Sequence, residues 1–132
     1  AGDGTLSRFL TAAGSPIQAT DDHSWSHSIT FPPDVERLDA EAALQKHRPT
    51  VVVCSWPPPG NRFERRVFRT PSVRRYIVLT TRHRFAAGNW PAYDEAAATF
   101  DQRIDEELSR LILPPEIDPV VLVFDRREQP AS

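Results

Sequence analysis

The apolar positions of the chain alternate between a helical and a strand period, and their order gives the first expectation for the fold. In residues 5–13, Leu6, Phe9 and Leu10 share one helical face, and Gly14 follows where a left-handed cap would sit, which predicts a short helix. Residues 17–20 predict a strand ending at Asp21 and Asp22, and residues 23–34, with Pro32-Pro33, predict an irregular connection. Residues 35–38 form a brief candidate strand. Asp39 then stands where a side-chain oxygen would cap a helix carrying Ala40, Ala42, Ala43 and Leu44, which Arg48-Pro49 stops. Residues 50–56 hold a continuous β-branched run, Val51-Val52-Val53, of the kind found in central strands buried on both faces. Pro57-Pro58-Pro59-Gly60 ends it abruptly.

Further along, residues 62–69 fit a helix, residues 73–81 a strong strand, residues 82–91 a loop and residues 92–98 a short helix. Residues 119–125 predict the last strand. Residues 100–113 satisfy two patterns. Phe100, Ile104, Leu108 and Leu111 have helical spacing, whereas an antiparallel strand beside residues 120–124 would better complete the end of the fold. Strands alternating with helical segments predict βαβ units, hence an α/β domain with a mostly parallel sheet and a C-terminal antiparallel strand pair.

Composition narrows the class. At 132 residues one domain is expected, and with 39% hydrophobic and 26% charged residues no apolar run approaches the roughly 18 needed for a membrane span. The single Cys54 cannot form an internal disulfide, so a reducing, cytoplasmic setting is expected. The chain contains no methionine and starts on Ala-Gly-Asp-Gly, from which a natural beginning farther upstream is expected. The formal charge of -2 conceals a segregation: residues 61–90 carry eight arginines against one acid, Glu64. Such a segment suits phosphates or nucleic acid, but arginines flanking a strand also serve as ion-paired edges. The aromatics here lack the spacing of a base-stacking platform, which favours the edge reading.

In parallel α/β sheets ligands bind at the carboxyl ends of the strands. Those ends hold Gly2 and Gly4, then Asp21 and Asp22, then Asp39, then residues 54–58, then residues 80–83. Glycines before a helix permit a tight turn and close approach of a ligand to unpaired N–H donors. Asp21 lies at the end of the next strand, near where an acid accepts hydrogen bonds from ribose hydroxyls; Asp22 is the weaker candidate. Asp39 could accept from an adenine amino group or cap its helix.

These residues resemble class I S-adenosylmethionine-dependent methyltransferases. Ala1-Gly2-Asp3-Gly4 looks like the tail of their glycine-rich first motif, Ala19-Thr20-Asp21 is similar to the acidic second motif, and Leu38-Asp39-Ala40 to the third. Residues 51–59 resemble the fourth-strand motif, but Cys54-Ser55-Trp56-Pro57-Pro58 stands where the family carries an acid or asparagine followed by prolines. The resemblance implies a Rossmann-like doubly wound sheet lacking its first strand, a gap that makes self-association an expectation. It also implies S-adenosylmethionine as cofactor, held by Gly2, Asp3, Gly4, Asp21, Asp22, Asp39, Ala40, Cys54, Ser55 and Trp56, with Pro57, Pro58 and Trp90 toward the acceptor.

Methyl transfer by in-line attack needs positioning and exclusion of water more than a protein nucleophile. His83, just after a strand, is the first candidate for a general base, although an exposed or core histidine is the commoner role. His23 and His27 have too little company for a metal site. Cys54 at the end of a buried strand is more often an apolar filler than a nucleophile. Trp25, Trp56 and Trp90 could wall the pocket or serve packing alone. A dinucleotide-dependent oxidoreductase fits less well, because Ser7 stands where its fingerprint wants a third glycine or alanine. The other readings are a non-catalytic partner-binding module and an RNA methyltransferase using the arginines. A small-molecule acceptor is preferred.

Overall fold

The computed structural model describes residues 1–24 and 27–128, and the chain divides into two compact units, Ala1–His47 and Arg48–Ser132. The protein is α/β, with its strands in two sheets. Among the described residues no helix is long and apolar enough to cross a membrane.

The first unit contains α1 (Thr5–Ala12), β1 (Ala19–Asp21), β2 (Val35–Arg37) and α2 (Ala40–His47). β1 and β2 pair in parallel, with Ala19 opposite Val35 and Asp21 opposite Arg37. Ala19, Val35 and Leu44 form its buried apolar positions, because alternate strand residues and one stripe of α2 are all that so short a pair can cover. The predicted apolar face of α1 exists by spacing but is not enclosed: Phe9 is 71% exposed.

In the second unit, β3 (Val51–Ser55), α3 (Phe63–Arg69), β4 (Arg75–Thr81), α4 (Trp90–Ala96), β5 (Phe100–Ile104), α5 (Glu106–Arg110) and β6 (Pro119–Arg126) build a sheet of order β3-β4-β6-β5. β3 and β4 are parallel, and β6 runs antiparallel to both β4 and β5, so three of the four strands point one way. The ambiguous residues 100–113 thus divide between the two patterns. β5 pairs with β6 as the antiparallel reading required, and Asp105 then caps α5 by accepting the Leu108 N–H at 3.0 Å.

One face of this sheet carries Tyr76, Val78, Leu122 and Phe124, and α3 and α4 bring Phe68 and Tyr93 onto it. Phe68 makes edge-on contacts with Tyr76, Phe100 and Phe124 at centroid distances of 5.4, 5.2 and 5.0 Å. That geometry sets the positive ring edge against the negative face of its neighbour. β6 is the most enclosed strand, every residue from Pro119 to Phe124 being buried.

The structure corrects one expectation here. β3 is not a central strand buried on both faces but an edge of its sheet, with Val51 51% exposed and Cys54 half-buried. A β-branched run reports a preference for extended backbone, which does not specify how many neighbours the strand has. The strand with neighbours on both sides and near-complete burial is β6.

Candidate functional site

In the first unit the glycine turn and the first acid come together. Gly2 and Gly4 both have positive φ, 56° and 77°. A side chain at Gly4 would meet Val35 Cγ2 at 2.8 Å, so the turn beside β2 requires glycine. The Gly2 N–H donates to Asp21 Oδ2 at 3.0 Å, the Ala1 amino group reaches the same oxygen at 2.8 Å, and the His23 N–H donates to Oδ1 at 3.0 Å. Partial burial opposes the charge on Asp21, but these three donors outweigh it and hold the carboxyl below its usual range.

Asp3, Asp22 and Asp39 are each engaged by nearby backbone N–H groups. Asp3 Oδ1 accepts from the N–H and the hydroxyl of Thr5, Asp22 Oδ1 accepts from the Ser24 N–H, and Asp39 Oδ1 accepts from the Ala42 N–H at 2.8 Å. Of the two roles open to Asp39, the helix cap is therefore present in the structure. Ala40 opens α2 directly after it. Trp25 lies outside the described residues.

In the second unit, Cys54, Ser55, Trp56, Pro57 and Pro58 lie where β3 ends, and His83 and Trp90 follow the end of the neighbouring parallel strand β4. Backbone bonds tie the two loops: Gly88 N–H donates to Pro57 O at 2.9 Å and Gly60 N–H to Gly88 O at 3.4 Å. Trp56 has a φ of 58° and is 43% exposed, whereas Pro57 is buried. Trp90 donates its indole N–H to Ala87 O at 3.0 Å, and the Arg84 guanidinium sits 4.8 Å from the centre of its ring. His83 is exposed, with its ring 5.9 Å from that of Phe85, itself 83% exposed.

The group that fixes these loops is Glu64, on the inward face of α3. Its side chain is fully buried and accepts four hydrogen bonds. Asn61 Nδ2 and the Asn89 N–H reach Oε1 at 2.7 and 2.9 Å; the hydroxyls of Tyr76 and Tyr93 reach Oε2 at 2.9 and 2.6 Å. Burial, together with the adjacent Glu64 carboxyl, pushes the pKa of both tyrosines up, so their hydroxyls remain donors. Asn89 also donates to Asn61 O at 2.6 Å and caps α4 by accepting the Ala92 N–H. A carboxylate offers about four acceptor positions, and here they are filled.

Sequence reading counted Glu64 only as the one acid among eight arginines. The usable signal was its spacing, because Glu64, Val67 and Phe68 share a helical face at i, i+3 and i+4 and all three are buried. At least three of the eight arginines are ion-paired. Arg65 pairs with Glu95, Arg75 with Asp125, and Arg82 with Asp118 and Glu106. Among the described residues, no group of three or more His, Cys, Asp or Glu side chains is placed to hold a metal ion.

In comparisons with protein families, curated proteins and solved structures, none matches this chain.

Proposed function

We propose that the chain is a Rossmann-like nucleoside-binding domain, and that the activity it serves is S-adenosylmethionine-dependent methyl transfer to a small-molecule acceptor in a cytoplasmic setting. The observation that carries the proposal is the bond from the Gly2 N–H to Asp21, which joins a turn of positive-φ glycines to an acid at the end of β1. A ribose would use such a pair, the hydroxyls donating to the carboxylate while the turn approaches the nucleoside. The reversed strand β6 between β4 and β5 gives further support, since an antiparallel pair at the end of the sheet is what the resemblance implies.

S-adenosylmethionine would supply a methyl group on a sulfonium, already activated for attack. The protein then has to orient the acceptor, exclude water and take up a proton. The second reading, a partner-binding module, is favoured by β3, an uncharged β-branched strand paired on one side only in its sheet.

Calorimetric titration with S-adenosylmethionine and with its demethylated product, NAD serving as control, tests the main reading. Binding of both nucleosides, weakened about tenfold or more in Asp21→Ala as expected when a charge-assisted bond is lost, supports it. A folded chain that binds neither refutes it.

A further inference from the structure

At the opposite end of β4 from His83 lies an open cleft of about 660 Å³. Arg74, Thr99, Arg126, Arg127 and Glu128 line it, so three guanidinium groups meet one carboxylate. The antiparallel register explains how this comes about. Arg75 is opposite Asp125, a pair of opposite charges bonded at 2.6 Å, and one step farther along the ladder the Arg126 N–H donates to Arg74 O at 2.8 Å. Arg74 and Arg126 therefore face each other across two strands, an arrangement that destabilises a sheet unless something of opposite charge intervenes.

Arg75 and Arg127 are matched by acids; among the described residues Arg74 and Arg126 are not. Arg127 is paired with Asp101 at 2.8 Å. Arg126 is held by its own scaffold, donating through Nε to Val73 O and through Nη2 to Phe68 O and Thr70 O, with its guanidinium 4.5 Å from the Phe100 ring centre. Burial and the Arg74 charge both lower its pKa, the direction expected of a cation facing another cation. Among the described residues, Arg74 has no acidic partner within ion-pair distance. Among the described residues, one guanidinium is thus fixed in place and a second has no acidic partner, and the hydroxyl-bearing Thr99 lines the same cleft.

We propose that this cleft is an oxyanion site that takes a phosphate group, with Arg126 as the rigid anchor, Arg74 as the closing arm and Arg127 and Thr99 at its rim. The planar fork of Arg74 matches the tetrahedral oxygens of phosphate through paired hydrogen bonds, while Arg126, whose Nε and Nη2 hydrogens go to three backbone carbonyls, offers its Nη1 hydrogens and its charge. Glu128 limits affinity by repulsion. None of its residues is among those proposed for the nucleoside, and neither assignment depends on the other.

The test uses the full chain, with amide resonances followed by NMR as inorganic phosphate is added. Saturable shifts at residues 74, 99 and 126–128 are expected. Arg74→Gln, at an exposed position, should weaken binding about tenfold or more through loss of a charge-assisted bond, while Glu128→Gln should tighten it. A parallel titration with a short single-stranded RNA separates the sources. Tighter RNA binding whose salt dependence falls in Arg74→Gln assigns the phosphate to a nucleic-acid backbone, and RNA binding no tighter than phosphate assigns it to a small molecule. Shifts that do not saturate, or an affinity unchanged by Arg74→Gln with the rest of the spectrum preserved, overturn the proposal.

Discussion

Replacing Glu64 by leucine tests the central structural argument, because it preserves bulk while removing all four acceptor positions. The side chain is fully buried, so no water replaces the carboxylate for Asn61 Nδ2, the Asn89 N–H and the two tyrosine hydroxyls. Each orphaned donor costs about 1–3 kcal/mol. Taking the lower figure for each, since hydroxyls can turn, the loss is about 4 kcal/mol, a large share of the roughly 5–15 kcal/mol available to a domain. With a urea slope of about 2 kcal/mol per molar, the unfolding midpoint should fall by about 2 M. Glu64→Gln should cost less, about 1–2 kcal/mol, because its oxygen can serve Asn61 and Asn89 while its amide group donates to the rotated hydroxyls.

The sharper readout is a change of sign. Tyr93→Phe removes a satisfied donor from the native protein and should cost about 1 kcal/mol. In the Glu64→Leu background it removes an orphan, and should be neutral or stabilising. A double-mutant cycle measured by urea unfolding reports this coupling directly. If Glu64→Leu costs under about 1 kcal/mol, or Tyr93→Phe costs the same in both backgrounds, the carboxylate does not hold the network and the reasoning fails.

Two further outcomes follow from named geometry. Gly88→Ala places a methyl group 2.8 Å from the Tyr93 hydroxyl at a φ of 86°, so it should lower the thermal midpoint by several degrees, corresponding to about 1–2 kcal/mol for the backbone alone; an unchanged midpoint would contradict the close approach. Asp21, whose pKa is lowered in the folded state, contributes stability that is fully present above its unfolded value of about 3.9 and lost as pH falls through the folded value. The Gly2 and His23 amide resonances should accordingly titrate with a midpoint below about 3.9, and a midpoint at or above it would refute the assignment.

Much of the element order was legible because the signals are local. The Asp39 cap, the Pro57-Pro58-Pro59-Gly60 stop and the apolar period of β4 each act within a few residues, and the structure keeps them with boundaries shifted by one or two positions. What was not legible depends on pairing. Val51-Val52-Val53 has the same composition whether it has one neighbour or two, and the division of the strands into two sheets is written in no single segment. Gly2 and Asp21 were singled out because both carry a recognisable local pattern, but the bond between them is visible only in the structure. Glu64 was not singled out, because its meaning comes from Tyr76, Asn89 and Tyr93, which reach it from 12, 25 and 29 positions away.

The Glu64 clamp has a consequence for variation. Asn61 and Asn89 fix the stems of two adjacent loops, while the stretch between Arg82 and Ala86 remains exposed and contributes nothing to that network. Lengthening a surface loop costs only a few tenths of a kcal/mol when its ends are already held together. That stretch can therefore be exchanged or extended while the scaffold beneath it persists, so its length and sequence are free to vary without first restoring stability.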